Sequence, residues 1–215
     1  MNFLPTLPVF AAYLVAVLII IFTPGPDMTL FLGKAVKQGT GAGMAAMLGA
    51  STGILIHTTL VALGLSALLA ASATAFFILK VVGAVYLLWL AVQAIRHGSA
   101  LNIDTSKPQA PSEPLFRSWL TGLTVNLLNP KIIMFFVTFF PQFVATGDPH
   151  TAQKLVFLGI VLVVIATPIS AAMILSVSRI ATLLKRTPRV MRAIDWLFAG
   201  VFSAFAVRLL FTQRN

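Results

Sequence analysis

The chain has 215 residues, of which 59% are hydrophobic and only 9% charged, with a mean hydropathy of +0.98. A soluble domain carries roughly 25% charged residues, so the composition excludes a water-soluble globule and points to an integral membrane protein. The formal charge of +10 does not indicate nucleic acid, because the cations cluster in short loops, and the lack of cysteine excludes thiol–disulfide chemistry and thiolate metal sites.

Six apolar segments are long enough to cross a bilayer at roughly 20 residues per crossing: 7–33, 43–70, 74–95, 115–144, 153–177 and 193–211. No strand-like alternation is visible, so the fold is expected to be all-α. The first segment has no Lys or Arg before it and reads as a retained helix, not a cleaved signal. It is broken by Thr23-Pro24-Gly25-Pro26-Asp27 and then resumes as Met28 to Gly33. Proline removes a backbone donor and clashes with the preceding turn. An aspartate in hydrocarbon costs about 2.5 kcal/mol or more. Irregular backbone at that depth survives only where protein buries it or it lines a wet cavity, and in transporters such breaks mark the substrate site.

The second segment carries the small residues Ala46, Gly49, Ala50 and Gly53, which allow close helix approach within the chain or between protomers of a homo-oligomer. It also carries His57, a candidate proton carrier or an interhelical hydrogen bond. Lys80 stands near the outer end of the third segment, placed to snorkel or to pair with an acid. A polar linker over about 97–114 contains Pro108, Pro111 and Pro114. The fourth segment is interrupted at Asn126-Leu127-Leu128-Asn129-Pro130-Lys131, with Asn129 an N-cap and Pro130 at the first helical position. Pro168 lies in the fifth segment, and Asp195 opens the sixth beside Arg192, as a capping acid does.

Ten cations, from Lys34 to Arg192, fall in the loops after the first, third and fifth segments; three, Lys154, Arg208 and Arg214, fall on the opposite side. This asymmetry places both termini outside, on the periplasmic side of a bacterial inner membrane. The whole chain, 1–215, reads as one transmembrane transporter domain. Its halves, about 1–96 and 115–215, hold three spans each, so a repeat between them has inverted topology.

Each break restarts a helix near the membrane middle and leaves amide N–H groups unpaired at its start, an anion-friendly arrangement. Lys131 stands beside the second break and Asp27 beside the first. A cavity with both signs of charge suits a zwitterion, with its carboxylate at the helix starts and its ammonium at Asp27. The candidate substrate-binding residues are Pro24, Gly25, Pro26, Asp27, Asn126, Asn129, Pro130 and Lys131; the candidates for proton coupling or gating are Asp27, His57 and Lys80. Prolines that merely kink helices for packing are the bland alternative.

These motifs resemble the LysE/RhtB family of bacterial amino-acid exporters over nearly the whole chain. The resemblance rests on FTPGPDMTLF at 22–31, GTGAGMAAMLG at 39–49, ALGLSALL at 62–69 and ILKVVGAVYLLWLAVQAIR at 78–96. It continues in FRSWLTGLTVNLLNPK at 116–131 and FFPQFV at 139–144. His57 is similar to the arrangement in the homoserine/threonine branch. One departure is Ala91, where the family pattern expects glycine. The resemblance implies proton-driven export of amino acids or close analogues across the inner membrane, with no cofactor. With only Asp27 and Asp195 as acids in the spans, neutral cargo such as threonine, homoserine or leucine is favoured over basic amino acids. A metal or other cation exporter is an alternative reading, on a thin ligand set of Asp27, His57, Asn126 and Asn129. An intramembrane enzyme is a remote one, with His57 beside Thr58 and Thr59, or with Ser170.

Overall fold

The computed structural model describes residues 4–71, 113–144 and 148–177, with isolated helical positions between 78 and 96 and between 192 and 207. All regular structure among these residues is helical. Helix α1 spans Leu7–Phe22 and is apolar throughout, as a helix facing lipid and protein but not water must be. Its end is written in the next residues. Thr23 closes the last turn, with its N–H donating to the Ile19 carbonyl at 2.9 Å and its hydroxyl to the same oxygen at 2.7 Å. Pro24 and Pro26 then withhold the N–H groups that the Ile20 and Phe22 carbonyls would have received. Helix α2, Pro26–Gln38, restarts at 49° to α1 after an extended Gly25.

α2 runs beyond the predicted end of the first span, carrying Lys34 and Lys37 on the helix instead of in a loop. The helix persists because Lys34 finds partners, Glu113 and Ser118, across the bundle. It stops at Gly39, whose φ of +94° is the one positive value among the described residues and one that a side chain would strain. Helix α3, Thr40–Ala71, follows at once. Helix α4, Leu115–Leu127, and the short α5, Pro130–Met134, form the other broken pair, bent by 50° at Leu128 and Asn129. α5 continues as a π-helical turn, Phe135–Phe139, and a 3₁₀ turn, Phe140–Phe143. Helix α6 spans Thr151–Leu175 and runs through Pro168 without ending.

By length and composition α3 and α6 can each cross a membrane, and each bent pair qualifies as one further broken span. Most of the third and sixth predicted spans, including Lys80, Ala91 and Asp195, and most of the linker lie outside the described residues.

α3 is the axis on which the other helices pack. At its crossing with α4 the backbones touch: a Cβ on Gly49 would stand 1.9 Å from the Trp119 carbonyl, and one on Gly122 1.9 Å from that of Ala46. A Cβ on Gly159 of α6 would strike the Thr58 side chain at 2.2 Å. The small residues therefore serve packing within the chain. Two buried clusters flank the breaks. In one, Tyr13 and Val17 of α1 meet Phe136, Phe140 and Phe143, while the Tyr13 hydroxyl donates to the Leu158 carbonyl at 2.6 Å. The other joins Phe31 and Leu32 of α2 to Ala46, Met47 and Ile174.

Candidate functional site

The two breaks meet. Asn126, in the last turn of α4, donates from Nδ2 to Asp27 Oδ2 in the first turn of α2 at 2.8 Å, a bond across 99 residues. Asn126 fits there because Gly53 of α3 has no side chain; a Cβ on Gly53 would come within 2.4 Å of Asn126 Oδ1. Asn129 caps α5, its Oδ1 accepting the Lys131 N–H at 3.0 Å, with Pro130 in the first turn where its missing N–H is no loss.

Lys131 takes a position that the sequence did not foretell. Its ammonium reaches back over the first break and donates to the Thr23 carbonyl at 2.9 Å and the Ile20 carbonyl at 3.4 Å. The Ile20 carbonyl is the group orphaned by Pro24. Gly25 gives the ammonium room, since a Cβ there would stand 3.0 Å from Nζ. Asp27 and Lys131 are electrostatic neighbours but do not form an ion pair.

Between them lies a cavity of about 70 Å³, room for several water molecules. Its polar lining is Thr23, Asp27, Ser51, Asn126, Lys131 and Ser170; the rest is apolar, including Ile20, Met28, Phe31 and Phe135. Pro24, Gly25, Pro26, Asn129 and Pro130 shape the breaks without bordering it. His57 stands to one side, stacked on Phe136 at 5.4 Å between ring centroids, with the Asn126 backbone and Asp27 as neighbours.

Four buried side-chain atoms among the described residues make no hydrogen bond: Asp27 Oδ1, His57 Nε2, Asn126 Oδ1 and Asn129 Nδ2. Buried polar atoms are nearly always paired. Here the Asn129 side chain neighbours the Asp27 carboxylate and the Asn126 backbone neighbours His57, so small shifts pair some of these atoms with one another, and a ligand would compete for the same atoms. The hydroxyls beside His57 are spent on their own helix: Thr58 donates to the Ile54 carbonyl at 2.8 Å and Thr59 to that of Leu55 at 2.9 Å. Ser170 borders the cavity and is not bonded to His57. No group of three His, Cys, Asp or Glu side chains gathers among the described residues.

Sequence reasoning passed over Thr23 and Ser51 as site residues and weighed Ser170 only as a nucleophile. Ser51 bonds Thr167 of α6 at 3.2 Å, beside Pro168. A proline inside a span, with hydroxyls close on both sides of it, was the available signal.

A family model described as LysE type translocator matches residues 18–213. The homoserine/homoserine lactone efflux protein of Salmonella typhimurium is 33% identical over 191 residues, covering 89% of this chain and 90% of that one. An uncharacterized membrane protein of Vibrio cholerae is 33% identical over 197 residues, covering 90% and 92%. The leucine efflux protein of Klebsiella pneumoniae subsp. pneumoniae is 29% identical over 204 residues, 95% of each chain. No solved structure matches.

Proposed function

Because the chain belongs to the LysE type translocator family, we propose that it exports amino acids or close analogues from cytoplasm to periplasm by proton-coupled alternating access. Neutral cargo such as threonine, homoserine or leucine is favoured, in line with the names of the homoserine and leucine efflux relatives. The proposed architecture is six spans in two inverted halves in the inner membrane, with both termini periplasmic.

One observation carries this reading: an acid and a lysine, one from each broken pair, line one cavity without a direct ion pair between them. A zwitterion supplies a partner for the unbonded Oδ1 of Asp27 and a charged one for Lys131, which holds only carbonyls. Its ammonium meets the free Oδ1 of Asp27, and its carboxylate meets Lys131 and the amide end of a restarted helix. The apolar wall of Met28, Phe31 and Phe135 receives an uncharged side chain. Asp27 and His57 each keep one unbonded atom, so either can take up the coupling proton.

The test is efflux. Cells with and without the protein, loaded with mixed amino acids, are followed in the medium with and without a protonophore. Selective, protonophore-sensitive release of a few amino acids is the expected result. If none moves while folded protein is present, amino-acid export is wrong.

A further inference from the structure

We propose that the carbonyl end of α1, formed by the Ile20 and Thr23 oxygens, is a binding site for primary ammonium groups. Lys131 occupies it in this structure and yields it to the amine of the cargo. The exchange with cargo rests on the export reading; the site itself does not.

The site is built by the break. A helix loses the donors for its last carbonyls, and those oxygens carry the negative end of its dipole. In α1 the Thr23 N–H and hydroxyl both go to Ile19, and Pro24 has nothing to offer Ile20. The extended conformation of Thr23 leaves its carbonyl free of α2, whose first backbone bond runs from Thr29 to Gly25 at 3.0 Å. Two acceptors thus face one point where the prolines have removed the backbone donors. An ammonium with three donors fits that point, and the Lys131 ammonium is there, 2.9 Å and 3.4 Å from them. The bare Cα of Gly25 makes the approach open.

Carbonyl dipoles hold a cation less firmly than a carboxylate does, because the carboxylate presents a full negative charge and the carbonyl only a partial one. A zwitterion entering the cavity therefore gives Lys131 a better partner in its carboxylate. Its own ammonium then takes the vacated carbonyls, with Asp27 close by. One ammonium replaces another, so the charge at the α1 terminus is conserved. What changes is the mechanical link. Lys131 belongs to α5, and its bonds to Ile20 and Thr23 tie one broken pair to the other; the cargo's amine ends that tie. Substrate binding and helix movement are coupled through a single side chain.

The test uses Lys131→Ala in nanodiscs, with thermal unfolding as the readout. Propylammonium replaces the atoms that the variant lacks. It is expected to raise the midpoint of Lys131→Ala saturably, by about 2 °C or more, while leaving the wild type unmoved. Tetramethylammonium, which has no N–H, is the control at equal ionic strength. Equal shifts from both salts, an equal response of the wild type, or no shift with propylammonium would each overturn the site. If Lys131→Ala does not accumulate, Lys131→Met keeps the stem and is tested with methylammonium under the same criteria. Because unfolding is measured without transport, a failed efflux assay leaves this result readable. If propylammonium binds and transport of amino acids is also seen, alkylammonium ions compete with cargo in Lys131→Ala, and absence of that competition overturns the exchange step.

Discussion

The two helix breaks resemble each other in sequence and solve their hydrogen bonding in opposite ways. The break between α4 and α5 satisfies its backbone N–H groups from its own residues, while Asn126 Oδ1 and Asn129 Nδ2 stay unpaired. Leu128 N–H returns to the Thr124 carbonyl at 3.1 Å, Asn129 N–H to that of Asn126 at 3.1 Å, and the Asn129 side chain caps α5. The break between α1 and α2 has no such means. Two prolines remove donors, and the residue at the N-cap of α2 is Gly25, which has no side chain to cap with. Its carbonyls and its acid are served from the other half of the chain, by Lys131 and Asn126. The self-sufficient break is the scaffold, and the dependent one is the part that can change partners.

The largest expected effect, under the proposed export, comes from removing the charge of Asp27 at the dependent break. Asp27→Asn keeps the shape and the contact with Asn126 but loses the partner for an ammonium. Loss of one member of a buried charged pair costs about 2 kcal/mol or more, so efflux is expected to fall about thirtyfold or more. Membrane abundance and unfolding temperature should stay near wild type. Near-normal efflux would remove Asp27 from the site.

Two glycine substitutions separate the breaks more finely. In Gly53→Ala the new methyl meets Asn126 Oδ1 at 2.4 Å and Asn126 Cβ at 3.0 Å, inside a packed helix crossing. Overpacking of this kind costs about 1–3 kcal/mol, and it pushes the Asn126 amide off Asp27. In Gly25→Ala the methyl meets only the flexible end of Lys131, at 3.0 Å and beyond. The expected result is a clear loss of thermal stability for Gly53→Ala and a smaller one for Gly25→Ala. A reversed order would mean that the α1–α2 break is the rigid one.

The cap itself comes next. Asn129→Ala removes the acceptor for the Lys131 N–H, worth about 1 kcal/mol at a helix start. Asn129→Ser should recover most of that in denaturant unfolding. If Asn129→Ala unfolds like the wild type, the α4–α5 break does not depend on its cap.

How much of this was legible follows the range of the interactions. Pro24, Gly25, Pro26 and Asp27 within an apolar run announce a break without any fold, and Asn129-Pro130 announces a capped restart; both stand where local chemistry puts them. The pairing of Asn126 with Asp27 spans 99 residues, and no local rule selects it from the other amides. Lys131 has resting partners that the residues alone do not show. The residues alone assign it to a carboxylate, yet Pro24 had already orphaned a carbonyl four residues back, and a buried cation goes to the nearest unpaired oxygens. Lys34 and Lys37 read as a loop because cations end most spans, whereas α2 carries both to Gly39. The π turn at Phe135–Phe139 left no mark, since a run of phenylalanines packs equally well in an α-helix.

The smallest effect is a pH dependence away from the breaks. Lys34 of α2 pairs with Glu113, just before α4, and the Ser118 hydroxyl donates to the same carboxylate at 2.7 Å. The Lys34 ammonium first, and then Ser118, hold the Glu113 carboxyl below its ordinary value of 4.5. A lowered carboxyl contributes stability that is complete above that value and disappears as pH falls through the lower, folded one. The wild type should therefore unfold at a slightly higher temperature than Glu113→Gln at pH 7, and the two should converge as the pH drops below about 4.5. The gap is small because part-exposed ion pairs contribute little, and salt should shrink it further. This strap joins the helix after one break to the helix before the other, so it limits how far the dependent break can open at that end. Releasing it in Glu113→Gln should therefore alter efflux more than it alters the unfolding temperature. A variant with unchanged efflux and the wild-type pH profile would make the pair a passive surface contact.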